Sequence, residues 1–213
     1  MPRWSRSNPL ALAVLVCLYE KPMHPYEVAQ TLRQRAKHDS VRLNYGSLYA
    51  VVESLEKKGF IKATGTVREG KRPERTVYQI TDEGSREMND WMTELISVPA
   101  KEYPAFMAGL SFIPSLHPDE ALMALRSRAD ALRVKLAAMR GAMNVAREAG
   151  LPRLFVLEAE FEEQELAAEL KFVTGLVEEM ASGTLEGLDM WRVFHTDDFN
   201  PQEVEFKFDF PTE

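Results

Sequence analysis

The chain has 213 residues, 45% hydrophobic and 28% charged, with a formal net charge of -7. That is the balance of an ordinary globular chain, long enough to bury a core without disulfides or metal staples. It excludes a collagen-like or low-complexity chain, and no run approaches the ~20 apolar residues needed to span a bilayer.

The net charge conceals a division. Residues 1–81 carry 14 Lys/Arg against 7 Asp/Glu, and the remainder carries 12 against 26. A basic half beside an acidic half points to a polyanion-binding end. The single cysteine, Cys17, can make no internal disulfide. It sits in the apolar run Leu10 to Leu18 and reads as a small core residue in a reducing, cytoplasmic protein. Basic residues Arg3 and Arg6 precede that run as in a signal peptide. However, Tyr19-Glu20-Lys21-Pro22 follows with no small-residue cleavage site, so the run reads as part of the folded domain.

The first helix is announced by Asn8 as N-cap and Pro9 at the first helical position. Leu10, Leu12, Val14, Leu15, Cys17 and Leu18 make it apolar on nearly every side, so it is buried or shared with a partner. Lys21 to Pro25 breaks it, and Pro25 opens a second helix with Val28, Ala29, Leu32 and Ala36 on one face. Asn44 caps a third, whose buried stripe is Leu48, Val52 and Leu55. Gly59 is placed to end it, with Phe60 packing back.

The period then changes. Phe60 to Val67 and Arg75 to Ile80 read as strands, joined by a connection bearing Arg68, Lys71 and Arg72. Thr81 caps a fourth helix with Met88, Trp91, Met92, Leu95 and Ile96 on its apolar face. Pro99 and Pro104 mark a linker, which places a domain boundary at about residue 98.

The second half is helical. Tyr103 to Leu116 is a short helix interrupted by Pro114. From Pro118 to Gly150 the series Leu122, Leu125, Ala129, Leu132, Leu136, Met139, Met143 steps by three and four, a seam that wants another helix against it. A further long helix carries Leu166, Leu170, Val173, Val177 and Met180 on one stripe. Residues 99–182 read as a helical dimerisation and effector domain, with Leu122, Leu125, Leu132, Leu136, Met139, Leu170, Val173 and Val177 as dimer residues. The tail, 183–213, holds Trp191, Phe194 and Phe199 and an alternating run from Val204 to Phe210. So many aromatics imply packing on the body or on a partner subunit.

Three helices and a two-stranded hairpin within residues 1–98 make the layout of a winged helix-turn-helix, so the fold class is mainly α with a wing and a long-helix second domain. In that layout the third helix enters the DNA major groove, its first turn nearest the bases. That turn is Asn44-Tyr45-Gly46-Ser47, followed by Tyr49, and Gly46 permits close backbone approach. Arg68, Lys71 and Arg72 suit phosphates or the minor groove. With Tyr26 and Arg42 these residues are the candidate DNA contacts. Tyr45 and Tyr49 read equally well as core or dimer aromatics.

No catalytic constellation stands against this. His24, His38, His117 and His195 are widely spaced with no metal-ligand pattern, and phosphate-cradling glycine loops are absent. Glu158, Glu160, Glu162, Glu163, Glu165 and Glu169 scatter around their helix as a solvated face, so neither a metal nor a cofactor is expected.

Three stretches resemble the PadR family of bacterial transcriptional regulators: Met23-His24-Pro25-Tyr26-Glu27-Val28, Asn44 to Ile61 with its G-S-L-Y and L-E-K-K-G segments, and Gly70 to Gly84 with R-P and Y-Q-I-T-D-E-G. The resemblance spans residues 8–98, and the helical half is similar to the second domain of the longer members. It implies a homodimeric repressor that binds a near-palindromic operator and is released by a small, often aromatic, molecule. Tyr45, Gly46, Ser47 and Tyr49 match the family's recognition-helix positions, and Lys71 and Arg72 its wing. It also implies an effector site near the domain junction or dimer centre, where Trp91, Met92, Tyr103, Phe106, Met107 and Phe112 lie in sequence. Core packing is the competing reading for each of them. The alternative to a DNA-binding regulator is a helical module that binds a protein or small molecule without DNA.

Overall fold

A computed structural model of the chain describes residues 6, 8–35, 37, 41, 44–67 and 75–196. It divides into two units, Met1–Glu102 and Tyr103–Glu213, a boundary four residues beyond the one expected near residue 98.

The first unit is built around α1 (Pro9–Glu20), capped by the Asn8 side chain, which accepts the Leu10 N–H at 3.1 Å. Leu10, Ala11, Leu12, Val14, Leu15, Cys17 and Leu18 are all buried within this one chain. The helix achieves this as the unit's hub, touching α2 (Pro25–Gln34), α3 (Tyr45–Lys57), β2 (Arg75–Ile80) and α4 (Asp82–Ser97). Each neighbour supplies one apolar stripe: Val28, Ala29 and Leu32 from α2; Leu48, Val51, Val52 and Leu55 from α3; Met88 and Trp91 from α4.

β1 (Ile61–Val67) pairs antiparallel with β2 from Ile61 opposite Ile80 to Val67 opposite Arg75. The register slips between Ala63 and Gly65, leaving Thr64 as an extra residue whose Oγ1 donates to the Val77 carbonyl at 3.3 Å. Such a bulge sharpens the twist of the hairpin. Met23, between α1 and α2, adds a bridge: its N–H and carbonyl exchange 3.0 Å bonds with those of Tyr78. The sequence marked this segment only as a helix break.

Much of the unit's geometry is fixed at one knot. α3 ends in a Schellman turn, with the Gly59 N–H on the Glu56 carbonyl, the Phe60 N–H on the Leu55 carbonyl, and Gly59 at φ 76°. Thr81 caps α4 by accepting the Gly84 N–H at 3.1 Å, and its hydroxyl donates back to the Gly59 carbonyl at 2.7 Å. Gly84 lies so close to the Phe60 carbonyl that a Cβ there would stand 2.0 Å from its oxygen.

The apolar face expected of α4 is only half used. Met88 and Trp91 are buried, whereas Met92, Leu95 and Ile96 are exposed, Ile96 at 80%. α1 is already surrounded, and among the described residues no further apolar surface of this unit is buried against the last turn of α4.

In the second unit α5 (Ala105–Ser111) is shorter than expected. A 3-10 turn, Ile113–Ser115, takes over at Pro114. α6 (Pro118–Glu148) and α7 (Leu157–Ser182) form a long antiparallel pair, and α8 (Leu188–Val193) packs on α6. Their shared core is Ala121, Leu125, Ala129, Leu132, Leu136, Leu166, Val173, Met180, Leu188 and Trp191. The Trp191 indole donates to the Leu116 carbonyl at 2.9 Å, which ties the start of the tail to the turn before α6. Phe199 and the alternating run 204–210 lie outside the described residues.

Two expectations are corrected here. The seam on α6 is satisfied inside the chain: Leu125, Leu132, Leu136 and Val173 are buried between α6 and α7, so they have no surface left for a second subunit. Leu122, Met139, Leu170 and Val177 are half-buried and keep part of theirs. The glutamates of α7 are also more than a solvated face. Glu169, Glu162 and Glu163 reach Arg128, Lys135 and Arg140 of α6, and Glu160 reaches Arg153. The three pairs to α6 are partly exposed and add about 1 kcal/mol or less each to the α6–α7 contact. Arg153–Glu160 ties the turn before α7 to its first turn, with Arg153 exposed and Glu160 half-buried. There the hydrogen bond from Arg153 holds the Glu160 carboxyl below its usual range.

Candidate nucleic-acid interface

α2 and α3 present their polar surfaces side by side. α2 starts at a capping box in which His24 Nδ1 accepts the Tyr26 N–H at 3.0 Å and Glu27 accepts the His24 N–H at 2.7 Å. This gives His24, Pro25 and Glu27 of the quoted motif a structural task and leaves Tyr26 projecting from the first turn. α3 starts at Asn44, whose Oδ1 accepts the Gly46 N–H at 2.9 Å, so that oxygen is engaged by the helix's own cap.

At 100° per residue, the α3 residues that avoid the core fall on two flanks. Tyr45 and Tyr49 lie on the flank toward α2. Ser47 lies on the opposite flank, where with Asn8, Ala11, Ala50, Val51 and Ser54 it lines an open depression against α1. Gly46 and Glu53 are exposed between the flanks. Tyr26, Tyr45 and Tyr49 are all exposed, which decides against a core reading for them within this chain.

The tyrosines are ordered by one another and by two residues the sequence reading did not select. Tyr26 and Tyr45 stack with planes 12° apart and centroids at 6.4 Å. Arg33, in the last turn of α2, places its guanidinium 4.6 Å from the Tyr45 ring centroid and donates Nη1–H to the Tyr45 hydroxyl. The His24 ring meets Tyr49 edge-on at 6.4 Å. By its place in the chain Arg33 is one of several cations near the end of α2, where they suit the helix dipole. Only the crossing of α2 and α3 brings it to Tyr45.

Arg42, Arg68, Lys71 and Arg72, expected as DNA contacts, lie outside the described residues. The strands that lead to the wing connection, β1 and β2, are in place.

The effector candidates divide between the two units. Trp91 is 1% exposed and packs in the core of the first, and Met92 beside it is exposed. Tyr103, Met107 and Phe112 are exposed on the second unit. Phe106 is half-buried with the Arg128 guanidinium 3.7 Å from its centroid. No cluster of three or more His, Cys, Asp or Glu that could hold a metal occurs among the described residues. No helix among them is long and apolar enough to cross a membrane.

Three helices, a wing and an exposed third-helix start define a winged helix-turn-helix protein. Residues 14–90 match the Transcriptional regulator PadR-like family. The chain is 24% identical over 152 residues to the negative transcriptional regulator PadR of Bacillus subtilis, covering 68% of this chain and 79% of that protein. The crystal structure of Bacillus subtilis PadR in complex with operator DNA has a TM-score of 0.57 at 21% identity, covering 86% of this chain and 99% of that one. The same protein in complex with p-coumaric acid gives 0.54 at 21% identity over 85% and 98%. Through residues 14–90 the chain carries a PadR-like domain. It is a transcriptional regulator and not an enzyme.

Proposed function

We propose that the protein is a cytoplasmic, homodimeric repressor that binds operator DNA through α3 and its wing and is released by a small aromatic molecule. The observation that carries this is the exposed Tyr26–Tyr45–Tyr49 cluster at the junction of α2 and the first turn of α3. Three large aromatics ordered on a surface, with no core to fill, suit a partner that lies against both helices. Gly46 supports the same reading. A Cβ there would meet only Asn44 Oδ1, at an ordinary 3.5 Å, so the fold itself does not require glycine. A closely approaching duplex does.

The relative from Bacillus subtilis is a negative regulator solved with operator DNA and with p-coumaric acid. Repression and an aromatic effector are carried over from it. Trp91 and Met92 of the first unit and Tyr103, Phe106, Met107 and Phe112 of the second remain the candidate effector contacts that the resemblance implies. Leu122, Met139, Leu170 and Val177, with the uncovered end of α4, are the proposed contacts to a second copy. Two-fold symmetry then demands a near-palindromic operator with half-sites ~34–36 Å apart. Release requires that the effector favour a dimer in which that spacing is lost, since equal binding to both geometries shifts nothing.

The test is binding of the full chain to its own upstream region with excess competitor DNA. Competitor-resistant binding supports an operator-specific regulator, and binding that any competitor abolishes favours a helical interaction module. Lys71→Ala and Arg72→Ala should each weaken binding to all sequences and lower the slope of log affinity against log salt by about 0.9. An unchanged slope would remove those residues from the interface.

A further inference from the structure

Arg33 and Tyr45 are joined in a way that dictates what Tyr45 can do next. A phenol has one proton to donate, and its oxygen accepts. Because the Arg33 guanidinium donates to the Tyr45 oxygen, that oxygen is the acceptor and its own proton points elsewhere, polarised by the positive charge behind it. The stack on Tyr26 and the guanidinium near the ring hold the Tyr45 ring, and with it the hydroxyl oxygen, in place. Arg33 retains further N–H groups, and no carboxylate pairs with it among the described residues. Two positions along, Arg35 is neutralised by Glu20, whose carboxyl is held below its usual range by that hydrogen bond.

We propose that Arg33 and Tyr45 form a preorganised clamp for one phosphate of the DNA backbone, with Arg33 supplying charge and Tyr45 a hydroxyl donor. The proposal rests on the DNA-binding reading above and names the ligand of part of that surface. A phosphate fits because every group offered is a donor or a cation, and a phosphate oxygen only accepts. The placement agrees, since the helix before the recognition helix crosses the sugar-phosphate backbone and not the base edges. Ordering the two side chains before binding removes part of the entropy cost of association. The clamp would fix how α3 enters the groove and carry no sequence information itself.

The experiment measures affinity of the full-length chain for its operator duplex and for a scrambled duplex, by fluorescence anisotropy across a salt series. Arg33→Ala should lower the salt slope by about 0.9, one phosphate's worth of released counterions. Arg33→Lys should restore the slope without restoring full affinity. Tyr45→Phe, which keeps the ring and the stack, should weaken both duplexes on the order of tenfold, the loss of one charge-assisted hydrogen bond. The double variant Arg33→Ala with Tyr45→Phe should lose less than the product of the two. Melting temperatures should stay at the wild-type value because both side chains are exposed.

An unchanged slope in Arg33→Ala would overturn the clamp. So would a changed ratio of operator to scrambled affinity in Tyr45→Phe, which would make Tyr45 a base reader. Wild-type protein that binds neither duplex would sink the DNA-binding reading and the clamp with it. Wild-type binding with both variants unaffected would sink the clamp alone.

Discussion

Gly84 and Cys17 show how much of the first unit is decided by single atoms. A Cβ at residue 84 would be driven into the Phe60 backbone oxygen, which no side-chain rotation can relieve. Gly84→Ala should therefore cost about 3 kcal/mol or more, at the upper end of overpacking, read as a lower urea midpoint with unchanged slope. A melting curve identical to wild type would mean that α4 can slide on the hairpin. Cys17 is buried in α1, and burial pushes its thiol up to about 11. Folded protein should react with thiol reagents at pH 8 only as fast as it unfolds. A thiol whose folded pKa is raised contributes stability that is present below about pH 8.5, its unfolded value, and lost as pH rises through about 11. Rapid labelling of native protein at pH 8 would contradict the burial.

At the scale of elements, α6 and α7 bury their apolar stripes against each other, with α8 added to the same core. Leu132→Ala should destabilise the protein by about 2–5 kcal/mol, the usual cost of emptying a buried leucine site. Val134→Ala, at an exposed position of the same helix, should cost less than about 0.5 kcal/mol. Equal losses in chemical unfolding would mean that the seam assigned to the α6–α7 core is wrong. The heptad-like spacing on α6 was plain in the sequence, but spacing cannot say whether the partner helix belongs to the same chain. The Arg128, Lys135 and Arg140 pairs to α7 answer that here, because they bracket the seam from both sides.

At the scale of the molecule, what the chain leaves uncovered matters most. Leu95 and Ile96 on α4, and Met107, Phe112 and Met123 on the second unit, are large apolar side chains in water. The proposed second copy would cover some of them. Sedimentation equilibrium should give a two-chain species at micromolar concentration with no DNA present. A single-chain species would remove the two-fold operator and leave the winged helix to bind alone. The charge division, basic through residue 81 and acidic beyond, should orient that dimer with its first units toward the duplex.

The sequence by itself determined the elements. Asn8, Asn44 and Thr81 cap α1, α3 and α4, Gly59 closes α3, and both strands and the long helices lie close to where periodicity put them. Those signals are local, since a cap or a turn is satisfied within a few residues of chain. The PadR-like motifs were legible for the same reason, being short and contiguous. Tertiary structure alone decided which apolar stripes are already paired, that Met23 bridges to Tyr78, that Trp91 is core, and that Arg33 meets Tyr45. Each of those joins residues from different elements or depends on what surrounds them. Periodicity records which face of a helix is apolar, but not what will lie against it.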